Sequence, residues 1–240
     1  QYMAATASTT QITPNQTSLS FLTPSQTVGS INYYTWTQNG VSWTVSSSTY
    51  YTALNMYSYY AFNNSYAANN GWASAATYSN GAYTGSVSTT IISIGAVLGE
   101  WLQLQSNLPV VLQSYTYASG GALAQLLKNY YIVGSNDGST WYPLHYMTTS
   151  TNPLTAGNTA CTSYIQMNYT GTQTIQGNVT GSGSTTAYSY TTNAYTYFRI
   201  VTTAIYASAS ILEIGEFYPI FTNGSSTSTN YGASWAPGST

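Results

Sequence analysis

Residues 130–144, Tyr130-Tyr131-Ile132-Val133-Gly134-Ser135-Asn136-Asp137-Gly138-Ser139-Thr140-Trp141-Tyr142-Pro143-Leu144, decide the fold class. Two runs of aromatic and β-branched residues flank a polar Gly-Ser-Asn-Asp-Gly-Ser segment. Such runs suit a pleated, half-buried surface. Asp137-Gly138 supplies the positive φ angles that a tight hairpin turn needs. The segment therefore predicts a β-hairpin with strands at 130–133 and 140–146, which places His145 in a strand.

The same vocabulary continues on both sides. Residues 101–105, Trp-Leu-Gln-Leu-Gln, alternate so strictly that Leu102 and Leu104 must face one side of a sheet and Gln103 and Gln105 the other. Strands are also predicted at 41–46, 110–118, 195–203 and 211–220. Only a turn or two near 121–128 has any helical character, with Lys128 exposed on a loop. Residues 1–32 read as an extended N-terminal arm rich in Thr, Ser and Gln, into which Tyr33, Tyr34 and Trp36 run. Its short β-prone stretch, 18–22, seeks a sheet edge on a neighbouring subunit. A β-sandwich is expected over 33–221, with an inserted hairpin near 150–190, and residues 222–240 read as a flexible tail.

Composition removes several function classes. The chain has 240 residues, of which 43% are hydrophobic and 2% are charged, with two cations, four acids and one histidine. A typical globular domain is about one-quarter charged. Two cations cannot neutralise a row of phosphates, so nucleic-acid binding is excluded. The longest apolar run, 91–98, is too short to cross a bilayer as a helix, so no membrane insertion is expected. The one cysteine, Cys161, forms no internal disulfide and is expected to be a small buried filler.

The order of the pieces carries more information. Val41 to Ser47 is followed by YYAFNNSYAANNGWAS, GEWLQLQ, VVLQSYTY, YYIVGSNDGSTWYPL, YTYFRIVTT and ILEIGEFY. Over roughly residues 38–220 this order resembles the discoidin family, also called the coagulation factor V/VIII type C or galactose-binding-like domain. Its charge-poor, Tyr- and Thr-rich composition is similar to forms found in large DNA viruses. The resemblance implies an all-β, jelly-roll β-sandwich whose end loops bind glycans or lipid head groups. It also implies a calcium site at the positions matching Asn63, Asn64 and Glu213, although asparagine there replaces an acid and removes a charge that calcium favours. Glu213 has an alternative role, pairing with Arg199. Trp72, Trp101 and Trp141 match core positions of the family.

The residues themselves point away from catalysis. A Ser-His-Asp arrangement would depend on His145 and Asp137, with no nucleophile motif after them. One Cys and one His make no zinc site. A paired-carboxylate site would draw on Glu100, Glu213 and Glu216, but Glu213 and Glu216, three apart in one strand, point to opposite faces unless a bulge at Gly215 rotates one. Arg199, in mid-strand, is expected to tie strands together through a carboxylate. Five Asn-x-Ser/Thr sequons, Asn15, Asn63, Asn168, Asn178 and Asn223, are candidate glycosylation positions in a secreted chain.

Two functions fit. The charge deficit and 26 tyrosines suit a non-enzymatic surface protein that self-associates into a virion shell, fibre or extracellular filament. The alternative is a glycan-binding adhesion module. Both place the protein outside the cell or on a virion surface.

Overall fold

The structure, a computed structural model, describes residues 11–12, 14, 24–38, 40–65, 67–150, 152, 154, 156–157, 164–166, 174–176, 183–187, 193–206 and 208–223. Ser18 to Leu22, Cys161, Asn15, Asn168 and Asn178 lie outside the described residues.

In chain order the strands are β1 (Gln11–Ile12), β2 (Gln26–Val28), β3 (Ile31–Gln38), β4 (Val41–Ser47), β5 (Trp72–Ala73), β6 (Tyr78–Ser79), β7 (Ala82–Tyr83), β8 (Ser88–Ile91) and β9 (Gly95–Leu98). There follow β10 (Glu100–Ala118), β11 (Leu127–Ser135), β12 (Tyr142–Thr149), β13 (Tyr164–Gln166), β14 (Thr174–Gln176), β15 (Gly183–Ala187), β16 (Tyr195–Ile205), β17 (Glu213–Ile214) and β18 (Glu216–Asn223). Two 3-10 turns, Ser58–Phe62 and Leu123–Gln125, are the helical elements of the described residues. No helix among these residues is long and apolar enough to cross a membrane.

Strand β10 organises an antiparallel β-sandwich. The two strands predicted at 101–105 and 110–118 are one 19-residue strand that changes partners at an irregularity between Gln105 and Val110. Its first half lies between β16 and β4, within the order β15-β12-β11-β16-β10-β4-β3-β2. Its second half pairs with β18, which in turn pairs with β1, and with β13. One long strand thus serves both layers, and the core fills the space between them.

Alternation along the strands explains that core. Leu102, Leu104, Ile132, Phe198 and Ile200 from the first layer pack with Leu112, Tyr115, Phe217 and Phe221 from the second. Phe221 meets Phe198 at 4.8 Å and Trp43 at 5.4 Å between ring centroids. Fully burying side chains of this size contributes roughly 1.5–3 kcal/mol each. Tyr34 and Trp36 belong to this core, on β3 of the main sheet, rather than to an arm. Polar neighbours in Ile31–Gln38 dilute the apolar signal, yet Tyr34 and Trp36 alternate in register with Val45 and Trp43.

The central hairpin forms, with a different turn. Strands β11 and β12 pair from Asn129–Thr148 to Gly134–Tyr142. Of Asp137 and Gly138, only Gly138 has a positive φ, at 71°. Asp137 works through its side chain instead. Its carboxylate accepts from the backbone N–H groups of Ser139 (2.8 Å) and Thr140 (2.7 Å) and from the hydroxyls of Thr140 and Ser135. Lys128 lies on β11, partly buried, with its ammonium 5.9 Å from the Tyr206 ring centroid, rather than on an exposed loop.

Candidate functional site

The outer face of the first layer carries the alternate residues of its strands. In the middle of the sheet, register places Gln103 opposite Arg199 and Ser46, and Gln105 opposite Tyr197 and Thr44. Thr44 in turn lies opposite Thr35. Of these, Thr35, Thr44, Gln103, Gln105, Tyr197 and Arg199 line an open groove of about 510 Å³, together with Tyr33, Ser25, Gln26, Val28 and Gly138. That volume falls within the range of small-molecule sites, about 300–1,000 Å³.

The groove's polar groups hold one another in place. Gln105 donates from Nε2 to the Tyr197 hydroxyl at 3.0 Å. The hydroxyls of Ser25, Thr35 and Thr44 form a chain with 2.9 Å spacings. Arg199 Nε donates to Gln103 Oε1 at 2.8 Å, and Gln103 Nε2 donates to Ser46 Oγ at 3.5 Å.

Arg199 sits where the groove meets a second, smaller core. The β8–β9 hairpin covers part of the outer face, and Ile91, Trp101, Val133, Trp141 and Val201 pack there. The guanidinium lies 4.0 Å from the Trp101 ring centroid and 4.2 Å from that of Trp141. Its Nη1 donates to Thr89 Oγ1 at 3.4 Å. The expected carboxylate partner is therefore replaced by neutral acceptors and two aromatic faces. Trp72 does enter the main core, but Trp101 and Trp141 serve this outer cluster.

The acids lie elsewhere. Glu100 is buried and accepts from Ser48 Oγ, from Thr49 Oγ1 at 2.8 Å and from Tyr83 OH at 3.4 Å. Gly215 separates β17 from β18, so Glu213 and Glu216 do not share one strand, and both are buried. Glu213 accepts from the Gly121 N–H at 3.3 Å, and burial raises its carboxyl above the usual range. It reaches neither Arg199 nor the 63–65 loop through any hydrogen bond among the described residues.

Glu216 takes the place at that loop expected for Glu213. Its carboxylate accepts from the Ser65 N–H at 3.1 Å, with further N–H donation from Asn63 and Asn64. Burial pushes the carboxyl up to about 8, against the pull of those donors. The Asn63 side chain is also engaged: Oδ1 accepts from Ser65 N at 3.0 Å, and Nδ2 donates to Asn70 Oδ1 at 2.7 Å. A calcium site needs converging oxygens, whereas this loop turns N–H groups onto a carboxylate. Asn63, Asn64 and Glu213 thus do not converge, and the set does not fit the ion. No group of three or more His, Cys, Asp or Glu side chains among the described residues is placed to hold a metal.

His145 is buried on β12, with Nδ1 2.5 Å from the Tyr115 hydroxyl, which also donates to Tyr130 OH at 3.2 Å. Asp137 is at the exposed turn and is not its partner.

No protein-family model and no curated protein matches the chain. Solved structures do. A family 32 carbohydrate-binding module of Clostridium perfringens in complex with galactose is 11% identical, with a TM-score of 0.38, over 74% of this chain and 93% of that one. A second module, from a family 31 glycoside hydrolase of the same organism, is 13% identical with a TM-score of 0.42, over 74% and 88%. A fucose-binding module of Streptococcus pneumoniae is 9% identical with a TM-score of 0.38, over 75% and 90%.

The sequence pattern identified Gln103, Gln105 and Arg199 as facing one way or as unusual, but not as one site. What assembles them is register. Ser25 and Gln26 were beyond reach because residues 1–32 were assigned to an arm, at whose edge Tyr33 was placed. The alternation of Tyr33 and Thr35 with buried Tyr34 and Trp36 is the signal that places them on the outer face.

Proposed function

We propose that the chain is a non-catalytic glycan-binding module that works outside the cell, and that the groove on the outer sheet face is its binding surface. The groove carries this reading. It offers amides, hydroxyls and phenols in fixed positions across adjacent strands, beside aromatic groups. Sugars present hydroxyls for such donors and acceptors and C–H faces for aromatic rings. The discoidin resemblance points to the same ligand class, and the similar solved structures include a module in complex with galactose and a fucose-binding module.

The self-associating shell or filament rested on the charge deficit, the two tails and surplus tyrosine, and the last of these weakens. Much of that surplus is used inside the fold: Tyr34, Tyr59, Tyr115, Tyr130 and Tyr195 are at most 2% exposed. The test is a glycan array followed by titration of a binding sugar into the protein and its Gln105→Ala and Tyr197→Ala variants. Binding weakened about tenfold or more in both supports the groove. A well-folded protein that binds no glycan, yet sediments as large particles, overturns the proposal in favour of assembly.

A further inference from the structure

Arg199 is a largely buried cation whose charge none of the four acidic side chains balances. The sequence has four acidic side chains, and all four are described and engaged elsewhere: Glu100 with Ser48 and Thr49, Asp137 within its turn, Glu213 with Gly121 and Glu216 with Ser65. Burial is costly enough to lower the guanidinium to about 10. Buried charges are ordinarily paired, and an arginine left unpaired in a low-dielectric site is a strong exception.

The geometry shows where a counter-ion fits. The guanidinium carbon lies over the Trp101 and Trp141 rings, and the N–H groups are the part that can take a further partner. Arginine offers five N–H donors. Two hydrogen bonds are made, Nε to Gln103 and Nη1 to Thr89, and the remaining donors have no partner among the described residues. Arg199 lines the 510 Å³ groove, which is open to solvent. A planar fork held against two rings at the wall of an open groove suits one bidentate anionic group.

Resting on the glycan-binding proposal, we infer that the groove selects acidic glycans, and that a sugar carboxylate or sulfate binds the free edge of Arg199 as its missing counter-ion. Neutral parts of the glycan lie along Gln105, Tyr197, Thr44 and Thr35. Long-range steering is absent, since the formal net charge is −2. Discrimination is local and short-range.

The experiment is calorimetric titration with matched pairs. Trigalacturonic acid is compared with its methyl ester, and a galactose-6-sulfate disaccharide with the unsulfated disaccharide. The acid of at least one pair is expected to bind about tenfold to a hundredfold tighter than its neutral partner, the range for a charge-assisted bidentate contact. The arm showing the preference names the anion. Arg199→Gln is expected to abolish the preference, read as the ratio of acid to neutral affinity within each variant, and Arg199→Lys, which keeps charge but lacks the fork, to retain only part of it. If the variants do not fold, the matched pairs on the unaltered protein still decide. Equal binding of acid and neutral partner, weakened by Gln105→Ala, overturns the inference and leaves the glycan site standing. Binding of neither pair overturns the inference and leaves the glycan site to the array, whereas binding indifferent to Gln105→Ala and Tyr197→Ala overturns both.

Discussion

The backbone N–H of Ser65 donates to the buried carboxylate of Glu216 across 151 residues of chain, at 3.1 Å. This contact fastens the loop after the Ser58–Phe62 turn to the start of β18. It also sets a pH dependence. Burial raises the Glu216 carboxyl to about 8 in the folded protein and raises that of Glu213 as well. An unfolded glutamate titrates near 4.3. Between these values the folded state binds more protons than the unfolded one, so stability falls as pH rises. The expected slope is up to about 1.4 kcal/mol per pH unit for Glu216 alone. Thermal melts from pH 4.5 to 8 are expected to show the midpoint highest in mild acid, and Glu216→Gln to flatten the profile. A midpoint that climbs steadily from pH 4.5 to 8 would refute this.

The same contact predicts indifference to calcium. Asn63, Asn64 and Ser65 turn N–H groups, not oxygens, to Glu216, and Glu213 lies with Gly121. Adding millimolar calcium or a chelator is expected to leave the melting midpoint within about 1 °C. A shift of several degrees would show a bound ion, since a ligand specific to the folded state raises apparent stability with its concentration.

Glu216 also shows how far the sequence could be read. Strand identity was legible wherever alternation was strong, as in Leu102 and Leu104, and the sandwich expected from the order of motifs is the sandwich observed. Gly215 was legible as a possible bulge, but not as the end of one strand and the start of another. Its N–H bonds to the Ala118 carbonyl at 2.9 Å and interrupts the strand, so Glu216 rather than Glu213 reaches the 63–65 loop. Arg199 was legible as an anomaly, but its acceptors were not. Gln103 is 96 residues away, and only the pairing of β10 with β16 brings the two together.

Gly71 and Gly215 give a packing prediction. A Cβ at Gly71 would stand 2.6 Å from Gly215 Cα and from the Ile214 carbonyl oxygen, both backbone atoms that cannot swing aside. Overpacking of this kind costs about 1–3 kcal/mol. Gly71→Ala is expected to lower the melting midpoint by roughly 2–12 °C, given about 2–4 °C per kcal/mol at this size. Gly121 has open space at its Cβ position and no positive φ. Gly121→Ala is therefore the control, expected to leave the midpoint unchanged or slightly raised. Equal losses in the two variants would contradict the close approach.

Asp137 separates ligand binding from stability. Partial burial pushes its carboxyl up, but hydrogen bonds from Thr140, Ser139 and Ser135 outweigh this and hold it below the usual carboxylate range. The sign is therefore opposite to that of Glu216: its stabilisation is present above about pH 4, the unfolded value, and is lost as pH falls further. The turn it organises is exposed, and Gly138 within it edges the groove, where an added Cβ would stand 3.4 Å from the Tyr197 ring. Asp137→Ala removes the acceptor for two backbone N–H groups that water can then satisfy, so the fold loses little. The expected change is a fall of no more than about 4 °C in melting midpoint, the equivalent of about 1 kcal/mol at this size. Disorder at the turn is expected to weaken glycan binding by severalfold, because one wall of the groove is no longer fixed. Melting curves and titrations on the same preparation check both. A large stability loss would show that the turn anchors the sheet, and unchanged affinity would show that the groove does not extend to Gly138.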